Sequence, residues 1–217
     1  MSGEAKTKDP AIVRRPGGRS ARVRAAVYAA VLEELVETGY SRMTIESVAA
    51  RADVHKTTVY RRWENIDALL TEAIRDSAST PVVPEDTGSL RGDLIAYASE
   101  LVAVLSGRAG RIIAAALSSD AASVEGVQEI KAMIFETRLP LSTRIVARGI
   151  ERGEVPEGTD AHEVIDFLTA PLYFRLIVSG GPLDERLART TGAATAAAVE
   201  AGAFRGDDRQ ADPDRPR

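Results

Sequence analysis

The spacing of small and branched apolar residues constrains this chain most. Val23, Val27, Val31 and Leu35 recur every fourth residue with Ala26 and Ala30 beside them, and no run of strand length alternates apolar with polar. Recurrence at three and four residues buries one face of a helix, whereas a half-buried strand needs a period of two. The expected fold class is therefore all-α.

Stop and start signals cut the periodic segments into elements. Gly39 closes a first helix predicted over 20–38, and Thr44 offers a cap for a second that carries the stripe Ile45, Val48, Ala49 and Ala52. The tight link "ADV" leads to "HKTTVYRRW", read as a third helix with Val59 and Trp63 on one side; Asn65 can cap a fourth, "IDALLTEAIRDS". The break "STPVVPEDTGS" marks a boundary near 78–88. Beyond it helices are predicted over 89–105, 108–118, 124–152 with an interruption at Pro140, 160–179 with Pro171 inside, and 183–201. Residues 1–18, broken by Pro16, Gly17 and Gly18, read as a flexible basic arm, and 204–217 as a disordered charged tail.

Charge separates the two halves. The net charge of the 217 residues is −4, yet residues 1–80 hold 13 Lys and Arg against 11 Asp and Glu, and residues 81–217 hold 15 against 21. A basic front on an acidic body suits one polyanion-facing end. Zero cysteines exclude disulfides and thiolate metal sites, and the two histidines, His55 and His162, stand far apart, so neither a metal nor a cofactor is expected. No apolar run approaches the roughly 20 residues that span a bilayer, and "MSGEAKTKDP" has no signal-peptide core. The expectation is a cytoplasmic protein with no membrane partner.

Two short helices joined by a tight turn, with a longer helix behind, are the plan of a helix-turn-helix unit that reads DNA. With Val59 as zero, a helical wheel puts Trp63 at about 40°, Tyr60 at about 100°, Thr57 at about 160° and Arg61 at about 200°. Thr57 and Arg61 point away from the core, while Arg62, at about −60°, lies nearer the buried side and shields the flank or touches backbone. Arg61 is the candidate for a base edge or phosphate; Thr57 and Thr58 are short enough to meet thymine methyls or phosphates, and Tyr60 can donate to a phosphate. Lys56 and His55 open the helix, and Thr44 opens the one before it. Arg19 and Arg22, nearest the first helix, are the arm's candidates for DNA contact.

The stretch from "GRSARVRAAVYAAVLEELVETGY" through "MTIESVAARADVHKTTVYRRW" to "ENIDALL" resembles the N-terminal domain of the TetR family of bacterial transcriptional regulators. That resemblance covers about residues 18–75. It implies that the third helix enters the major groove, that Thr44 contacts the DNA backbone and that Tyr60 touches phosphate. His55 stands where a small residue is usual, and Ile66 where lysine is frequent. "GSLRGDL" and "ERGEVPEGTDAHEVIDFLTAPLYFRLIVSGGPLDE" resemble one branch of the family's regulatory domains. The resemblance implies a three-helix DNA-binding domain at 19–78 and a larger helical ligand-binding and dimerisation domain at 88–203, whose last two long helices pair across a homodimer. Double-stranded operator DNA, a second copy and an unidentified small-molecule effector are the implied partners. Tyr97, Leu101, Met133, Phe135, Phe167, Tyr173 and Phe174 are the candidate pocket lining, with Arg138 and Arg175 as polar anchors beside the proline bends. Gly192, in the alanine-rich last helix, permits close helix approach, within the chain or across a dimer.

Two other classes compete. A helical enzyme could use Glu136 or Asp166 for acid–base work, but the chain carries no phosphate loop, nucleotide glycine fingerprint or paired metal-ligand motif. A helical adaptor would not need the arm, the Thr44 cap and Tyr60 together. The leading expectation is a DNA-binding repressor released by its effector, with no catalytic residues.

Overall fold

The computed structural model describes residues 18–77, 82–118 and 120–206; within these, the side chains of residues 19, 118, 130 and 133–139 lie outside the description. Met133, Phe135, Glu136, Arg138 and Arg19 of the candidate sets therefore fall outside it, as do the arm before residue 18 and the tail after 206. Ten α-helices succeed one another among the described residues: α1 (Gly18–Thr38), α2 (Ile45–Arg51), α3 (Lys56–Tyr60), α4 (Ile66–Ser77), α5 (Leu90–Ser106), α6 (Arg108–Ser118), α7 (Glu125–Ser142), α8 (Arg144–Glu151), α9 (Ala161–Phe174) and α10 (Glu185–Glu200). They contain no strand, only an isolated bridge between Thr159 and Arg205.

Side-chain caps set most of the helix starts. Asn65 Oδ1 accepts from Ala68 N at 2.8 Å ahead of α4, Ser89 Oγ from Gly92 N at 3.1 Å, Asp160 Oδ1 from His162 N at 2.8 Å, and Asp184 Oδ1 from Leu187 N at 2.9 Å. Each supplies an acceptor to a backbone N–H that the helix itself leaves unpaired. Both helices that hold a proline change form a few residues beyond it. The helix holding Pro140 breaks at Thr143, and the one holding Pro171 widens into a π-turn at Arg175–Ser179 that ends on Gly180, in the left-handed region at φ 62°.

Two apolar clusters form the interior. The first gathers Val27, Val31 and Leu35 of α1, Ile45 and Val48 of α2, Val59, Trp63 and the inner face of α4, and it continues into Ile112 and Ala116 of α6, Ala121, and Val127 of α7. The second is built by α5, α8, α9 and α10 around Leu94, Leu101, Ile145, Leu168, Leu172 and Ala196. The interior thus does not divide at the proline-bearing break: Ile112 and Ala116 of α6 and Val127 of α7 join the interior of the first four helices, while Ile113 of α6 packs against the second cluster. Within the second cluster, a Cβ on Gly192 would lie 2.7–2.8 Å from the N, Cα and Cγ1 of Ile95, so this glycine serves the α5–α10 seam inside one chain.

The connection between the halves is held by charge. Asp93 of α5 is fully buried; its Oδ1 accepts from the Thr87 N–H at 2.6 Å and hydroxyl at 2.7 Å, and its Oδ2 pairs with Arg148 at 3.2 Å and Arg152 at 3.1 Å. Arg152 also reaches Asp86 at 3.1 Å and Glu154 at 2.7 Å, fastening the connector to α8. Burial pushes the Asp93 carboxyl up, but the Thr87 hydrogen bonds and the two guanidiniums outweigh it and hold the group below its ordinary range.

Of the tail expected over 204–217, residues 204–206 are packed against the fold. Phe204 is buried edge-on against Phe167, with ring centroids 5.4 Å apart, and its carbonyl accepts from Asp160 N at 2.8 Å. Gly206 N donates to Gly158 O at 3.1 Å. A single aromatic side chain with somewhere to pack carries three residues of a polar stretch into the fold.

Candidate nucleic-acid interface

α2 begins at a reciprocal cap. Thr44, extended at φ −134° and ψ 158°, accepts from Ser47 N at 3.0 Å through Oγ1, while its own N–H donates to Ser47 Oγ at 3.2 Å. Two N–H groups are satisfied at once, which fixes where α2 starts. The turn to α3 runs through Asp53, whose φ of 52° is left-handed, a conformation that aspartate tolerates better than most residues. Val54 N closes the turn onto Ala49 O at 3.0 Å.

α3 is shorter than the nine-residue stretch expected, covering only Lys56–Tyr60. His55 caps it: Nδ1 lies 2.9 Å from Thr57 Oγ1 and 3.5 Å from Thr57 N. Trp63 nevertheless keeps its place beside Val59, because its N–H still donates to Val59 O at 3.0 Å. Both side chains are buried, and Trp63 stacks at a tilt on Tyr28 of α1, centroids 5.9 Å apart, with its indole N–H donating to Glu72 of α4. These contacts fasten the inner side of α3 to α1 and α4.

The outer side carries Lys56, Thr57, Tyr60 and Arg61, all exposed, with Thr58 half-buried at the flank. His55, Thr58 and Arg61 line a groove of about 770 Å³ together with Ser20 and Val23 of α1, Asp53 and Val54 of the turn, Arg62 and Trp63. Arg62 is engaged within this groove. Its Nη1 donates to Ser20 Oγ at 3.1 Å and its guanidinium lies 5.6 Å from the Trp63 ring centroid, so it staples α1 to the end of α3. Arg22, on the same exposed first turns of α1, donates to Gly18 O at 3.3 Å.

One residue of this face was not nominated from sequence. Glu46, in the first turn of α2, accepts from the Tyr60 hydroxyl at 3.2 Å and lies 4.0 Å from the Lys56 ammonium. This contact raises the Tyr60 pKa, the hydrogen bond to Glu46 contributing most. A signal existed: Glu46 lies about 100° around α2 from the buried Ile45, on a face that the turn brings toward α3.

Comparison with known proteins agrees along both halves. Residues 27–73 match the family described as bacterial regulatory proteins, tetR family, and residues 84–195 match the Tetracyclin repressor-like C-terminal domain. The chain belongs to the TetR family. It is 34% identical over 168 residues to the DNA-binding transcriptional repressor TetR of Mycobacteroides abscessus, a match covering 74% of this chain and 85% of that protein. It is 27% identical over 164 residues to the HTH-type transcriptional regulator YdeS of Bacillus subtilis, covering 76% and 83%. The Pseudomonas aeruginosa repressor MexZ shares the fold, with a TM-score of 0.67 at 17% identity over 86% of this chain and 99% of that one. This TetR-family chain is a transcriptional regulator and not an enzyme; α2 and α3 are its helix-turn-helix.

Of the candidate pocket residues, the side chains of Met133, Phe135 and Arg138 lie outside the described residues. Tyr97 and Leu101 are interior residues of the second cluster. Phe167 and Phe174 are 49% and 55% exposed on the outside of α9, and Arg175, half-buried, donates to Pro182 O at 3.3 Å in the loop that follows. Tyr173 packs against the edge of the cluster. Asp166, the acid of the enzyme alternative, is exposed. Among the described residues no three His, Asp or Glu side chains group as metal ligands would, and no helix is long and apolar enough to cross a membrane.

Proposed function

We propose that this TetR-family chain is a homodimeric repressor that sets two α3 helices on a near-palindromic operator and releases it when a small-molecule effector binds the second half. The observation that carries the reading is the pairing of a cationic outer face on α3 with an uncovered apolar face on α9 and α10. Phe167 and Phe174, seven residues apart, fall on one side of α9, and Val178, 69% exposed, extends the patch through the π-turn. Exposed Ala194, Ala197 and Ala201 give α10 a smooth neighbouring surface. Large exposed apolar patches mark association sites, and helix-turn-helix proteins read half-sites about 34 Å apart with two copies.

Release needs a route between the halves, and the first apolar cluster supplies one. Ile112 and Ala116 of α6 pack in the interior that positions α2 and α3, so an effector favouring another setting of α6 shifts the dimer away from operator-competent spacing. The chain is read as two units, a DNA-reading one at 19–78 and a regulatory one from about 88, that share this helix. Such a protein acts in the cytoplasm, where the bacterial chromosome lies.

The test is sequence selection from genomic fragments at physiological salt, followed by gel shift and sedimentation. Arg61→Ala is expected to abolish operator binding and leave the dimer intact. Phe174→Glu is expected to give a folded monomer with operator affinity reduced at least tenfold. A wild-type chain that binds every fragment equally, or a Phe174→Glu chain that remains a dimer, refutes the proposal.

A further inference from the structure

We propose that Glu46 is a specificity-determining residue: it accepts a hydrogen bond from the exocyclic amino group of a cytosine in each half-site, and until it finds one it holds Tyr60 and Lys56 back from phosphate. The inference rests on α3 being the DNA-facing helix. It adds a reader on α2.

A carboxylate on a polyanion-facing surface needs a reason, since it repels the phosphates that bring the protein to DNA. Glu46 is 52% exposed and stands beside Lys56 and Tyr60, two of the outward residues of α3. It is not idle there. One oxygen, Oε1, takes both the Tyr60 hydroxyl and the Lys56 ammonium, joining residues 14 and 10 positions away. Exposed ion pairs of this kind add little stability, and a carboxylate in the first turn of α2 adds about 0.3–1 kcal/mol through the helix dipole, a gain that does not depend on its contacts with α3.

The chemistry of the groove supplies a reason for those contacts. An ionised carboxylate only accepts hydrogen bonds, so it can pair only with a base edge that donates. Cytosine offers its N4 amino group in the major groove without the adjacent acceptor that adenine presents, and Glu is the residue that reads it. When Glu46 turns to that amino group, Tyr60 and Lys56 lose their shared acceptor and can turn to phosphate oxygens. On DNA lacking the cytosine, the carboxylate keeps both, and neither the Tyr60 hydroxyl nor the Lys56 ammonium is freed for phosphate. Binding to the wrong sequence is thereby weakened more than binding to the right one.

The full-length protein and its Glu46→Gln and Glu46→Ala variants are compared by selection from a randomised duplex library. Affinities for the selected operator and for a scrambled duplex are then titrated with salt. Melting by circular dichroism checks that the variants stay folded, as an exposed site should. The expected result is a cytosine at one symmetric position for the wild type, adenine there for Glu46→Gln because an amide reads adenine, and no preference there for Glu46→Ala. The operator-to-scrambled affinity ratio should fall at least tenfold in Glu46→Ala. Scrambled-duplex affinity should rise, with a salt slope steeper by up to about one per protomer as Lys56 reaches phosphate. Identical base preferences in all three proteins overturn this inference and leave the regulator reading standing; a wild type that selects no motif overturns both.

Discussion

Replacing Gly192 by alanine adds one methyl group and should destabilise the protein. The new Cβ would lie 2.7 Å from Ile95 Cγ1 and 2.8 Å from its Cα and N, about 1 Å inside ordinary carbon contact. Rotating Ile95 relieves the contact with Cγ1 but not those with Cα and N, so α5 or α10 must move. Overpacking costs about 1–3 kcal/mol. Because two of the three contacts are with backbone atoms, this site belongs in the upper part, about 2–3 kcal/mol, from which alanine returns about 1 kcal/mol of helix propensity over glycine. The net loss, about 1–2 kcal/mol, corresponds to roughly 2–8 °C in Tm for a chain of this size. Thermal unfolding by far-ultraviolet circular dichroism, run at two protein concentrations tenfold apart, measures it. The deficit should be the same at both, because the crowded partner lies within the chain. A variant as stable as the wild type, or more so, refutes the reasoning: propensity alone would then account for the site. A deficit that shrinks with concentration refutes the intramolecular assignment and places Gly192 between copies.

Acid should act on the connector. Since the folded Asp93 carboxyl lies below its unfolded value, its stabilisation is complete above that value, near pH 4, and is lost as pH falls through the folded one. Asp93→Asn should flatten the stability profile below pH 5 and cost on the order of 3 kcal/mol at neutral pH by urea unfolding, since two arginines lose their anion. Alkali should act on α1. Burial first, then the hydrogen bond to Glu72, raises Tyr28 to about 12, so the stability it lends is intact below pH 10 and drains away between pH 10 and 12. In Tyr28→Phe that alkaline loss, on the order of 2 kcal/mol, should be absent from the pH titration of unfolding. Thr44→Ala removes the acceptor for Ser47 N and should cost about 1 kcal/mol, read as faster amide exchange in α2.

Much of this architecture could be read from local chemistry. Thr44, Asn65, Ser89, Asp160 and Asp184 cap their helices with their own side chains, and such signals lie within three residues of what they control. Val59 and Trp63 share a buried side as a helical wheel requires, although α3 itself stops at Tyr60. What stayed hidden depends on distant partners. The Phe204 ring needs Phe167, and Asp93 needs α8 to bring Arg148 and Arg152. The 14 residues separating Glu46 from Tyr60 close only when the turn at Asp53 folds back. Helical spacing of apolar residues does not by itself separate an interior position such as Tyr97 from an exposed one such as Phe174.

The place of α6 bears on how such regulators exchange parts. A recombination that joined one protein's first 80 residues to another's remainder would bring a foreign α6 against Leu32 and Val36 of α1 and Ile74 of α4, beside which Ile112 now sits. A crossover placed after α6 would keep Ile112 and Ala116 with the reading head but part α5 from α10, where Gly192 fits against Ile95, and Asp93 from Arg148 and Arg152. The two interiors interleave along the chain, so a single exchange point disturbs one of them wherever it falls, and new sensing is more readily gained by substitution than by swapping halves.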